Sequence, residues 1–122
     1  MNKEKLIRDL CARLPYDVKV LYDNKVFSID YVSSIHEEIK LDTRDNYTIN
    51  VSDVKPYLFP LSSMTEEQKM FLKQQNWCIA ISTSGTVETT VEGIDWLNKN
   101  HFDYRNLINK NLAIDCTNLN IY

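Results

Sequence analysis

The segment Lys55-Pro-Tyr-Leu-Phe-Pro-Leu-Ser-Ser-Met-Thr-Glu-Glu-Gln68 constrains the fold of this chain more than any other stretch. Pro56 and Pro60, four apart, fix φ at two points and push the residues before them toward extended backbone. An aromatic-aliphatic run is thereby held open, to cross the surface or pack on a sheet. A helix start follows at once. Thr65-Glu-Glu-Gln68 fits a capping box, in which the Thr hydroxyl accepts from the Gln68 amide while the Gln68 side chain reaches back. Glu66 and Glu67 suit the positive end of that helix. The helix is expected to stop near Asn76, with Met70 and Phe71 as its inner residues.

The rest of the chain alternates between the two hydrophobic periods. Leu6, Ile7, Leu10, Cys11 and Leu14 form one stripe and predict a helix over 3–14, stopped by Pro15. Val18, Val20 and Tyr22, then Phe27, Ile29 and Tyr31, alternate with polar residues around Asp23-Asn24, which predicts a hairpin. Ser34-x-x-Glu37 can open a short helix. The alternation of Ile39 and Leu41, then Tyr47, Ile49 and Val51, about the turn-rich 42–46 favours a second hairpin. Trp77 to Val91 predicts a third hairpin, bent at Ser84-Gly85. Residues 93–100 then turn helical with Ile94 and Leu97 on one face, and Asp103 is placed to cap a further short helix carrying Leu107 and Ile108. Leu112–Cys116 reads as a last strand, followed by an asparagine-rich tail expected to fray.

Only two glycines, Gly85 and Gly93, occur in 122 residues. Asn is the residue best able to replace Gly at positive φ, so Asn24, Asn46, Asn76, Asn106 and Asn111 are expected at turns and helix ends.

The length suits one domain spanning 1–122 with a single core. No apolar run reaches the roughly 18 residues of a membrane span, and the charged N-terminus lacks the apolar core of a secretory signal, so a cytoplasmic protein without membrane contact is expected. Cys11, Cys78 and Cys116 are too few and too far apart for a disulfide framework or a zinc site. The net charge of -3 argues against a whole-surface grip on nucleic acid. The first 25 residues carry six Lys/Arg against four Asp/Glu, and Lys3, Lys5, Arg8 and Arg13 are the residues such a contact would use.

No catalytic constellation is legible. The histidines are His36 and His101, and pairing either with a Cys78 or Cys116 nucleophile requires a spatial meeting that no local signature supplies. His101 is expected to order a turn. No ligand-spaced His or acidic cluster calls for a metal, no Gly-rich loop for phosphate, and no cofactor is expected. Aromatic residues remain. Tyr, Trp and Arg are enriched at protein-protein hot spots, which makes Tyr57, Phe59, Tyr104 and Arg105 the candidate partner-binding residues. Trp77, Trp96 and Phe102 are expected in the core.

Three stretches carry a resemblance: Asp9–Tyr16, Lys55–Glu67, and Asp95–Ile108 continuing to Leu112-Ala-Ile, together about a third of the chain. They resemble a family of short proteins from prophages and mobile elements of gut bacteria. Phe59 stands where that family tends to have Arg, and Asn106 and Asn111 where Gly is common. The resemblance implies a mobile-element origin and transfers no activity, cofactor or catalytic residue.

The expectation is therefore an α+β domain: an antiparallel sheet of hairpins with the N-terminal helix and short helices on its apolar face, the polar alternates Lys19, Ser28, Asp30, Thr48 and Asn50 lining the other. The expected function is a non-catalytic accessory protein that binds an unidentified protein partner, with self-association left open. The alternatives are a Cys/His enzyme or subunit and a weak nucleic-acid binder using the N-terminal helix.

Overall fold

The computed structural model describes residues 2–43, 48–77, 79–81 and 87–122. Within them run α1 (Asn2–Arg13), β1 (Lys19–Tyr22), β2 (Lys25–Ser33), β3 (Glu38–Leu41), β4 (Ile49–Asn50), β5 (Lys55–Pro60), α2 (Glu66–Gln74), β6 (Ala80–Ile81), β7 (Val87–Glu88), α3 (Val91–Lys99), β8 (Phe102–Asp103) and β9 (Ile114–Asp115). The architecture is α+β. One sheet runs β4-β3-β2-β1-β5-β8, with β9 also on β5, while β6 and β7 pair separately.

Each hairpin follows from local chemistry. Asp23 and Asn24 both take positive φ (50° and 62°), the backbone that a two-residue turn needs to match strand twist, and β1 and β2 pair antiparallel around them. β2 then pairs β3, with a register shift between Ile29 and Tyr31. That bulge at Asp30 breaks the alternation read from sequence. Tyr31 turns outward to 44% exposure and Val32 packs on the core instead. β3 and β4 form the second hairpin through Glu38–Asn50 and Ile39–Ile49. Tyr47 and Asn46 lie outside the described residues, and Val51 begins a 3-10 turn rather than extending β4. The third hairpin is β6–β7, with its Ser84-Gly85 bend outside the described residues. Val91 opens α3, capped by the Thr90 hydroxyl, which accepts from the Gly93 amide at 3.0 Å.

The proline-bracketed run is a sheet strand, with Pro56, Tyr57 and Leu58 buried. The sheet is therefore mixed. β1 lies antiparallel to β5, whereas β8 and β9 run parallel to it. The Leu58 carbonyl accepts from the Cys116 amide (2.9 Å), and the Phe59 amide donates to the His101 carbonyl (2.8 Å). Those two groups belong to one trans peptide and point oppositely, so β9 and β8 flank β5 on opposite edges.

Leu6, Ile7 and Leu10 of α1 share the core with Val18, Val20, Ile39, Leu41, Ile49, Val51, Val54, Leu58, Leu107 and Ala113. Burying each of the larger side chains contributes about 1.5–3 kcal/mol. The predicted helix after Asp103 does not form. The carboxylate caps an irregular turn instead, accepting from the amides of Leu107 (3.0 Å) and Ile108 (2.9 Å). Among the described residues no helix is long and apolar enough to cross a membrane.

Candidate functional site

The four aromatic and basic residues singled out in the sequence do not form one exposed patch. Tyr57 is buried in β5, as are its neighbours Pro56 and Leu58, so both faces of the strand are covered there. Phe59 is half-buried, its ring 6.0 Å from those of Phe102 and Tyr122. Tyr104 donates to Asn98 Oδ1 at 2.9 Å and lies under the Arg105 guanidinium, 4.7 Å from ring centroid to Cζ. Arg105 is an anchor of the fold rather than a free surface cation, since it reaches Asp9 Oδ1 at 3.1 Å.

Asp9 centres a buried ionic cluster. Arg13, one turn along α1, donates from Nε to Asp9 Oδ2 at 2.9 Å, and both side chains are fully enclosed. Arg13 also donates to the Phe102 carbonyl, tying α1 to β8. Burial pushes the Asp9 carboxyl above its usual value, against the downward pull of Arg13 and Arg105. Arg13 is therefore a core residue, which removes it from the basic face proposed for nucleic acid. Lys3 pairs with Glu37 at 3.1 Å. Lys5 meets Lys110 and holds that ammonium below its usual value.

A cavity of about 440 Å³ opens over the end of β5, lined by Phe59, Ser63, Thr65, Gln68, Lys99, Asn100, His101, Phe102, Thr117 and Tyr122. Its base is built by the tail. The ladder between β1 and β5 runs through Leu21–Lys55 and Val20–Pro56, so the next rung would join Lys19 to Tyr57. The Tyr122 hydroxyl stands in for that rung, accepting from the Lys19 amide (2.9 Å) and donating to the Tyr57 carbonyl (2.8 Å). Burial raises its phenol above the ordinary range. The tail expected to fray is thus pinned to the sheet. Its ring stacks on His101 at 3.7 Å. His101 ends α3 with φ of 63°, ordering a turn between helix and strand. Burial, followed by the nearby Arg13 charge, lowers its pKa to about 4, so the ring is neutral at pH 7. Its Nδ1 is enclosed without a hydrogen-bond partner.

A second concavity, about 480 Å³, is an apolar groove beside α2, lined by Leu61, Met64, Lys69, Leu72, Lys73, Asn76, Trp77 and Ile79. The capping box forms as read, with both reciprocal bonds present. The helix turns a different face inward than expected. Leu72 is buried, while Met70 and Phe71 are 60% and 40% exposed. Phe71 packs on Trp77 and Trp96 at 5.9 and 6.3 Å, and Trp96 stacks on Phe102 at 5.6 Å. Sequence reading missed the groove because its walls come from Leu61 and Met64, from Lys69 to Asn76, and from Trp77 and Ile79, none with its own signature.

Cys116 is buried, and burial pushes its thiol up to about 11, which keeps it protonated at neutral pH and a poor nucleophile. Cys78 lies outside the described residues. His36 is exposed in a turn, its amide donating to Ser33 Oγ at 3.3 Å. Among the described residues no group of three His, Cys, Asp or Glu is placed to hold a metal ion. No protein-family model matches the chain, and no curated protein or solved structure matches it significantly.

Proposed function

We propose that the protein is a non-catalytic accessory protein of a prophage or mobile element that acts by binding another protein. The observation carrying this reading is the groove beside α2. Leu61, Met64, Leu72, Trp77 and Ile79 give it an apolar floor and walls. Lys69, paired with Glu66 at 3.2 Å, and Lys73, with no acidic partner among the described residues, stand beside it on a chain of net charge -3. A local cationic rim around apolar surface matches a partner segment with apolar anchors and acidic flanks, the rim charges steering and orienting it. The resemblance of the 55–67 and 95–108 stretches to prophage proteins supports the origin.

Met64→Glu and Lys73→Glu test the surface. Each change at a half-buried or exposed groove position is expected to move stability by little, about 0.5–1 kcal/mol. Affinity capture from host lysate, with and without phage induction, should recover a protein with the wild-type chain that both variants fail to retain. Capture that survives both substitutions, or that falls only in step with melting temperature, would remove the groove from the function.

A further inference from the structure

We propose that the cavity over the His101–Tyr122 stack binds a small organic carboxylate with an apolar body, a site separate from the groove beside α2 and independent of that reading. The cavity wall is aromatic. Phe59 contacts both Phe102 and Tyr122 at 6.0 Å between centroids, which offers π-faces to a ring or an aliphatic chain. One edge of its rim presents donors for a definite reason, whereas Ser63, Asn100 and Thr117 donate to the Pro60 carbonyl, the Trp96 carbonyl and the Asp115 carboxylate. The capping box spends the acceptors, since Thr65 Oγ1 takes the Gln68 amide (3.1 Å) and Gln68 Oε1 takes the Thr65 amide (2.9 Å). What remains is the Thr65 hydroxyl proton and the Gln68 amide protons. Among the described residues, Lys99 adds an ammonium with no acidic partner and no carboxylate side chain lines the cavity.

Lys99 is the one charged side chain among the lining residues, and on a chain of net charge -3 a lone lysine there favours a negatively charged ligand. The aromatic wall selects an organic anion over an inorganic one, because a fully hydrated ion gains nothing from apolar surface. A second observation points the same way. His101 is 8% exposed and lines the cavity, and its Nδ1 has no partner within the protein. Buried polar atoms are nearly always paired, so an unpaired nitrogen on a residue that lines the cavity points to a partner that the described residues do not supply. The neutral imidazole adds a polar contact there without a buried charge.

The probes are benzoate, phenylacetate and hexanoate, with benzyl alcohol as the neutral counterpart and acetate as the anion without a body. Titration followed by amide chemical shifts should give saturable changes at His101, Phe102, Thr117 and Tyr122, with Kd below about 1 mM for at least one carboxylate probe. Benzyl alcohol and acetate should bind at least about tenfold more weakly. Lys99→Met should weaken the carboxylate about tenfold, with melting temperature unchanged. The proposal is overturned if none of the three carboxylates saturates by about 10 mM, if the shifts map elsewhere, if benzyl alcohol binds equally well, or if Lys99→Met binds as the wild type does.

Discussion

Asn24, Asn76, Asn106 and Asn111 all take φ near 60°, so in this glycine-poor chain asparagine supplies the left-handed backbone at turns and helix ends. Its short polar side chain tolerates that region, which costs other L-residues about 1–2 kcal/mol. This much was readable residue by residue. Asp17, Glu37 and His101 take the same conformation without so clear a signal, because there the surrounding fold imposes it. His101 is the most consequential. Unfolded, its imidazole takes up a proton near pH 6.5; folded, only near 4, because burial first and Arg13 second disfavour the cation. Between those values the unfolded chain binds more protons. The stabilisation is therefore whole above about pH 6.5 and is lost as pH falls through that window toward 4. His101→Asn keeps a residue suited to φ of 63° and removes the titration. Urea midpoints at pH 7, 6 and 5 should fall less steeply for this variant than for the wild type, and equal slopes would place the imidazole in a more polar setting.

At the scale of elements, the helix start at Thr65 was legible because a capping box is written within four residues. Thr65→Ala removes the acceptor for the Gln68 amide and should cost about 1 kcal/mol in urea denaturation. The face that α2 buries was not legible. Its nine residues offer Met70, Phe71 and Leu72 in succession, and periodicity alone leaves open which one meets the protein; the walls at Leu61, Met64 and Ile79 decide for Leu72. The bulge at Asp30 is similar, since alternation predicts Tyr31 inward and only the pairing with β3 turns it out. Pro56 and Pro60 announced extended backbone correctly. They gave no sign that the strand would sit inside a sheet, with neighbours on both edges.

At the scale of the whole molecule, two side-chain devices join distant segments. The Tyr122 hydroxyl supplies the missing rung between β1 and β5, across 103 residues from Lys19. The Asp9–Arg13–Arg105 cluster fastens α1 to β8 and the turn that follows. Asp9→Asn leaves the enclosed Arg13 guanidinium without its counter-charge, and loss of one partner of a buried pair costs about 3–5 kcal/mol. Chemical denaturation should register that loss, and Asp9→Asn combined with Arg13→Met should recover a large part of it. A single variant as stable as the wild type would mean that the guanidinium reaches water.

Alternation, stripe and turn chemistry act through neighbours in the chain, and so the sequence alone determined the hairpins, the N-terminal helix, the capped start of α2 and the asparagine turns. Which residues meet across the fold depends on packing between segments far apart in sequence. The tertiary structure therefore decided that Tyr57 is buried, that Arg13 and Arg105 share one carboxylate, that the tail is stitched into the sheet, and that two cavities open where no motif marks them.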